Sequence, residues 1–337
     1  MPEIAVEYWR GNRLESGVRA DVAVVDSLGQ VRYWLGDPFR SAFWRSSAKP
    51  FQAMPVIESG AADLFQMGPK DVAIICASHG GEPMHVELVQ DLLRRIEAEP
   101  QHLICGVHPP SHRESAQQLL IAGQEPQVLH NNCSGKHTGM LALARALEAP
   151  LEGYEKPEHP VQQAIRRNVA YMTGLFEPNL ETGTDGCGVP TFFLSLDRMA
   201  YSFARLVDPR GLEPAKAGSA LIVSEAMRAH PELVSGTGRL EVRLAEASNH
   251  RFVSKGGAEA VFCLGIPDRG LGVAIKIESG DSRAMPTVVV TVLKQMGVLS
   301  QGELMELEPL LHPDIFNHSG TLVGEIRPVM KLKSARL

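Results

Sequence analysis

The sequence of 337 residues has no basic run and no interleaving of basic with aromatic side chains, and its formal charge is −6. A nucleic-acid binder that works by neutralising phosphates is thereby excluded. No apolar window approaches the length of a membrane span. The opening stretch Met1–Glu7 lacks a basic region followed by an apolar core, so no secretory signal is expected there. Cysteines are few and odd in number: Cys76, Cys105, Cys133, Cys187 and Cys263 are scattered without framework spacing, so free thiols and a cytoplasmic location are the expectation. The turn Gly236-Thr237-Gly238-Arg239 lacks the context of a phosphate loop. With no repeat, low-complexity tract or linker, and 44% hydrophobic residues, the chain is expected to form one domain over residues 1–337, with a helical subdomain around 80–230 and a small molecule as its partner.

What is present begins with short apolar runs. Ile4 to Tyr8, Val22 to Val25 and Val31 to Leu35, separated by turn residues, read as a strand meander. In Trp44 to Ala53, Pro50 has no N–H for a helix ladder; with Ser47 as N-cap it falls in the first turn, so Ser46 and Lys49 lie at a helix start, three residues apart and on one side. An alcohol attacks poorly until a base takes its proton, and a neutral lysine at that spacing is such a base. The same spacing also describes a capping serine beside a solvated lysine. The apolar run Val72 to Cys76 ends in Ala77-Ser78-His79-Gly80-Gly81-Glu82, and a helix pattern through Val86, Val89, Leu92, Leu93 and Ile96 follows. Small residues at that junction allow close approach to a ligand, and equally make an ordinary turn. Cys105 to Pro110 reads as an extended loop, because Pro109 disfavours helix at His108.

The stretch densest in chemistry is Asn131-Asn132-Cys133-Ser134-Gly135-Lys136-His137-Thr138-Gly139, which runs into an apolar helix pattern over Gly139 to Ala149. Its polar groups thus sit where unpaired N–H groups favour anions and thiolates, although Asn and Ser also serve as plain turn and cap residues. A helix over 158–173 precedes the small-residue loop Glu181 to Pro190, where Asp185 and Cys187 point the same way if the segment is extended. Another helix is expected over 215–229. Lys255 stands before two glycines and the run Ala260 to Leu264, which pairs with Leu271 to Ile277; it reaches a cleft there or is a solvated turn residue. The valine run from Met285 to Leu293 has strand propensity, but Asp281 or Ser282 as cap and Pro286 near the start favour helix. A short helix over 302–311 and a closing strand over 323–332 complete the chain. Together Ser46 with Lys49, Ser78 with Lys255, Lys136 and Asp185 suggest a crowded cleft, in which repulsion and burial leave at least one lysine neutral near pH 7.

Six segments, Arg45 to Pro50, Ala77 to Glu82, Asn131 to Gly139, Asp185 to Pro190, Lys255 to Glu259 and Lys276 to Ala284, resemble in order the motif series of the Rhizobium-type (class 3) L-asparaginases of the asparaginase II family. The resemblance implies an α/β (α+β) fold of the serine β-lactamase and penicillin-binding-protein type, a mostly antiparallel sheet flanked by helices, used as a homodimer. It implies hydrolysis of L-asparagine to L-aspartate and ammonia through a serine–lysine acyl-enzyme. Ser46 with Lys49 and Ser78 with Lys255 would be the two tandems, Ser46 being the first choice of nucleophile. Zinc is the implied cofactor, on Cys133, Lys136 and Cys187. By charge, Arg45, His137 or Arg283 would hold the substrate carboxylate and Asp185 its ammonium. A glutaminase or other serine–lysine amidase is the neighbouring enzyme reading, and a zinc-dependent amino-acid-binding protein the non-enzymatic one. Lys255-Gly256-Gly257 has glycine where the wider β-lactamase-like group has Thr or Ser, which weakens the analogy to penicillin recognition.

Overall fold

The architecture of the computed structural model, which describes residues 1–335, is set by a long strand with two buried faces. The strands are β1 (Glu3–Arg10), β2 (Arg13–Asp26), β3 (Val31–Leu35), β4 (Ser41–Phe43), β5 (Glu181–Thr184), β6 (Pro190–Ser195), β7 (Val253–Gly257), β8 (Val261–Ile266), β9 (Leu271–Ile277), β10 (Asp314–Phe316), β11 (Leu322–Pro328) and β12 (Lys333–Ser334). Nine of them form an antiparallel sheet in the order β10-β11-β1-β2-β9-β8-β7, with β3 also beside β2 and β12 beside β3; β4, β6 and β5 form a small second sheet.

Alternation along β2 sends Ala23 and Val25 to one core and Ala20, Val22 and Val24 to the other. On β8, Val261 and Cys263 face the first core while Phe262, Leu264 and Ile266 face the second. Both faces are apolar, which is why these strands read as unbroken hydrophobic runs. The second core is closed by the Met285–Gln295 helix, whose valines are buried on every side. The capping signals outweigh strand propensity here: Asp281 accepts the Arg283 N–H and Pro286 occupies the first turn. The first core lies beneath a layer of helices that includes Lys49–Glu58, Pro69–Ile75, Ser134–Ala146, Pro160–Thr173, Leu196–Val207 and Pro214–Ala229.

This is the mixed, mostly antiparallel sheet-and-helix architecture expected. Local differences have local causes. The run Val72 to Cys76 is helical, started by Pro69 and by Asp71 accepting the Gly68 N–H. The segment over 181–190 is a strand, a turn and the start of a second strand rather than a loop, because Glu181–Thr184 pairs with β6. No helix among the described residues is long and apolar enough to cross a membrane.

Two close approaches bring the future site together. A Cβ on Gly257 would meet Ser47 Oγ at 3.0 Å and the Trp44 carbonyl oxygen at 3.1 Å, so β7 lies hard against the segment that starts the Lys49–Glu58 helix. Ser47 Oγ donates to the Lys255 carbonyl at 2.8 Å and fixes the register of that contact. A Cβ on Gly135 would lie 2.2 Å from the Ile74 carbonyl oxygen, so the Ser134–Ala146 helix starts in van der Waals contact with the end of the Pro69–Ile75 helix.

Candidate active site

Ser78 is the meeting point. It follows the Pro69–Ile75 helix, and its N–H is fixed on the Val234 carbonyl at 2.8 Å. Lys49, the first residue of its helix, and Lys255, on β7, are both fully buried and place their Nζ atoms 2.9 Å from Ser78 Oγ. Lys49 also donates to the Ala77 carbonyl and, at 3.2 Å, to Cys133 Sγ. Lys255 donates to the Gly256 carbonyl at 2.8 Å. Burial and then repulsion from Lys49 lower the Lys255 amine to a pKa of about 7. A buried amine with that basicity is half neutral at neutral pH, and in its neutral form it can accept the proton of the hydroxyl beside it.

Ser46 lines the same cavity as Ser78 and Lys255, a space of about 570 Å³ that is open to solvent. The Ser78–Lys255 pair implied by the resemblance is in contact, while Lys49, paired with Ser46 by spacing, places its amine on Ser78 as well, so both lysines face one hydroxyl. The chain before Ser46 is tightly held. Arg45 has φ +54°, a left-handed conformation for a branchless but bulky residue, held by its N–H on Thr191 Oγ1 at 3.2 Å and its Nε on Asp185 Oδ1 at 2.7 Å. Arg45 to Ala48 forms a 3-10 turn and the α-helix starts at Lys49; a turn of three residues keeps Ser46 and Lys49 on one side, and the Lys49 amine extends past it to Ser78.

Behind Lys49 lies a cluster of two thiols and a third amine. Lys136 Nζ donates to Cys187 Sγ at 2.9 Å, and Cys187 Sγ lies 3.8 Å from Asp185 Oδ2. The Cys187 thiol hydrogen-bonds Cys133, which with Lys49 and Lys136 holds Cys133 as a thiolate well below the usual thiol range, although burial opposes this. Burial likewise opposes the charge of Lys136, but Cys133, Cys187 and Asp185 outweigh it and hold the amine firmly protonated. Partial burial of Asp185 opposes its charge, but Lys136 and Arg45 outweigh it and keep the carboxylate ionised below the usual range. Asn131 orders the corner: its amide donates to the Cys105 carbonyl at 2.9 Å while its side-chain oxygen accepts the Cys133 N–H at 2.8 Å.

Cys133, Lys136 and Cys187, the ligands implied for zinc, thus adjoin one another. Two sulfurs and an amine are acceptable zinc donors, provided the amine gives up its proton. Among the described residues no group of three or more His, Cys, Asp or Glu side chains is arranged to hold a metal ion.

The other expected substrate contacts lie elsewhere. His137 is fully buried, its Nδ1 is hydrogen-bonded to the Tyr154 hydroxyl, and burial with nearby Lys136 and Lys49 keeps it neutral, so it offers no charge to a carboxylate. Arg283 is spent on Asp281 at 2.6 Å in the solvent and covers the Tyr8 ring; its neighbour Ser282, not Arg283, reaches the cavity. Arg45 and Asp185 neutralise each other. Arg239 and Glu241 also line the cavity; they carry no spacing signal, because the fold alone brings them to β7.

The L-asparaginase II family profile matches residues 6–328 of the chain. No curated protein sequence matches it. Among solved structures it is similar to a β-lactamase from Mycobacterium bovis, with 13% identity, 82% of this chain and 94% of that chain covered and a TM-score of 0.42. A class C β-lactamase from Rhodobacter sphaeroides shows 11% identity, 87% and 93% coverage and a TM-score of 0.40. A β-lactamase/D-alanine carboxypeptidase from Pseudomonas syringae shows 10%, 87% and 92%, and 0.39.

Proposed function

Because the chain belongs to the L-asparaginase II family, we propose that it hydrolyses L-asparagine to L-aspartate and ammonia through an ester on Ser78. The observation that carries this reading is the pair of buried lysine nitrogens, each 2.9 Å from one hydroxyl on a cavity wall. Neutral Lys255 takes the Ser78 proton, and Oγ attacks the side-chain carboxamide carbon. The C–N bond then breaks, ammonia leaves with the proton that Lys255 held, and an aspartyl ester remains on Ser78. A water, deprotonated by the same amine, attacks the ester; the C–O bond to Ser78 breaks, Lys255 returns the proton to Oγ and aspartate leaves. Lys49 keeps a donor on Oγ and steadies it as it loses its proton.

Quenching the reaction in acid and mapping the aspartyl adduct by mass spectrometry tests the assignment. The adduct is expected on the peptide containing Ser78; finding it on Ser46 would transfer the nucleophile's role to that residue. Ammonia release from asparagine is expected to exceed that from glutamine, which is longer by one methylene. Equal rates would point to a broader amidase.

Cys133, Lys136 and Cys187 would hold the zinc that the family resemblance implies, where it supplies a fixed positive charge beside the pocket. Lys136 would then have to lose a proton that two sulfurs and Asp185 hold, so loading weakens as pH falls. Since Ser78 and its lysines need no metal for proton transfer, chelation is expected to raise KM several-fold while kcat changes by less than about threefold. Loss of kcat after chelation, with secondary structure intact, contradicts this. The proposal extends to Rhizobium-type (class 3) membership and to a homodimer in the cytoplasm, the oligomer being checked by equilibrium sedimentation.

A further inference from the structure

The glycine-rich turn before the Leu240–Ala247 helix has no phosphate to bind, yet it is clamped beside Ser78. The Thr237 N–H and hydroxyl both donate to Glu82, at 3.0 and 2.6 Å, while the Ser78 N–H donates to Val234 on the same segment at 2.8 Å. Gly236, with φ +112°, turns the chain where a Cβ would strike Glu82 and Gly80. The turn ends in Arg239, which faces the cavity that Ser78 and Lys255 line.

An amino-acid amide carries a carboxylate a few bonds from its reacting carbon, so a site selecting such substrates needs a cation on the same cavity as its nucleophile. Lys49 and Lys255 are committed to Ser78, Arg45 to Asp185 and Arg283 to Asp281. Among the described residues Arg239 has no carboxylate partner. Its neighbour Glu241 is occupied in part by the Gly256 N–H at 2.9 Å, which ties the base of the Arg239 turn to β7.

We propose that Arg239 binds the α-carboxylate of the substrate and thereby makes the site selective for amino-acid amides over simple amides. The inference rests on the hydrolytic reading above and adds the residue that sets its substrate class. The Lys255 amine is lowered chiefly by burial and then by Lys49, with Glu241 and Cys133 opposing, and Arg239 adds a smaller push in the lowering direction.

The test compares R239Q and R239K with the unaltered protein on L-asparagine and on 3-aminopropanamide, which is asparagine without its carboxylate. Because a charged hydrogen-bonding contact is lost, R239Q is expected to lower kcat/KM for asparagine about 100-fold, chiefly through KM. Its kcat/KM for 3-aminopropanamide is expected to change by less than about threefold, and R239K to fall between. The acid limb of the R239Q pH profile should move to higher pH, since one of the charges opposing protonation of Lys255 is gone. Equal losses on both substrates, or none on either, overturn the proposal.

Thermal stabilisation by L-aspartate separates this inference from the reading beneath it. The unaltered protein should gain melting temperature with aspartate and R239Q should not, whether or not turnover occurs. Aspartate stabilising both proteins alike overturns the role of Arg239. Stabilisation of the unaltered protein alone, without ammonia release from any amide, upholds Arg239 and removes the hydrolytic reading instead.

Discussion

Lys255→Met is expected to lower kcat for asparagine by about 10³- to 10⁴-fold without harming the fold, and below neutral pH to leave the protein more stable than before. Methionine fills the same buried space but has no lone pair for the Ser78 proton, so the general-base contribution is lost. The stability gain follows from the amine's depressed pKa. Folding takes Lys255 from an ordinary lysine value of 10.5 to about 7. Since the unfolded chain holds the proton between those values, the folded state is penalised by roughly 5 kcal/mol, an upper bound that the lost hydrogen bonds to Ser78 and Gly256 reduce. That penalty is full below pH 7 and disappears as pH rises towards 10.5. The advantage of Lys255→Met in melting temperature should therefore shrink across that window. In the unaltered protein, kcat/KM should rise about tenfold per pH unit up to about 7 and then level off. A variant with unchanged kcat, or a profile flat from pH 5 to 8, would remove Lys255 as the base.

The fold was legible where one physical signal acted alone. The helices Pro83–Arg95, Pro160–Thr173 and Pro214–Ala229 carry apolar residues on one face and a proline in the first turn, and they lie where that pattern puts them. The valine run from Met285 was legible through its cap, against its propensity. Leu196–Val207 has an equally regular buried face, Leu196, Met199, Ala200, Phe203 and Leu206, but it begins directly after β6 with only Ser195 at the junction, and no glycine or proline marks its start. The site was legible as a set of residue types and only partly as a geometry. Spacing linked Ser46 to Lys49, whereas the contact that Lys49 Nζ makes is with Ser78 Oγ, 29 residues further along the chain. His137 stood in the richest polar stretch, yet the helix face that carries it points into the core. Arg239 lay in a turn whose only visible feature was glycine, and its position depends on Glu82, some 150 residues earlier in the chain.

The same change, glycine to alanine, is expected to act in opposite directions at two helices. At Gly218, in the Pro214–Ala229 helix, nothing lies within 4 Å of a new Cβ. Alanine there removes backbone freedom from the unfolded chain and should stabilise by about 0.5–1 kcal/mol. At Gly135 the new Cβ would lie 2.2 Å from the Ile74 carbonyl oxygen and 2.9 Å from its carbon, both main-chain atoms that no rotamer change can move aside. One helix must retreat from the other, and overpacking of this kind costs about 3 kcal/mol or more. Gly135→Ala should therefore lower the melting temperature by several degrees and Gly218→Ala should raise it slightly. Activity adds a second readout, because Ile74 lies four residues before Ser78 and Gly135 two residues after Cys133 and immediately before Lys136. Retreat of the Ser134–Ala146 helix lengthens the 3.2 Å contact between Lys49 and Cys133 and loosens the amine that Ser78 depends on. Turnover in Gly135→Ala is thus expected to fall even at temperatures where the variant is fully folded, while Gly218→Ala keeps full activity. Equal melting temperatures for the two variants would show that the two helices can separate without strain.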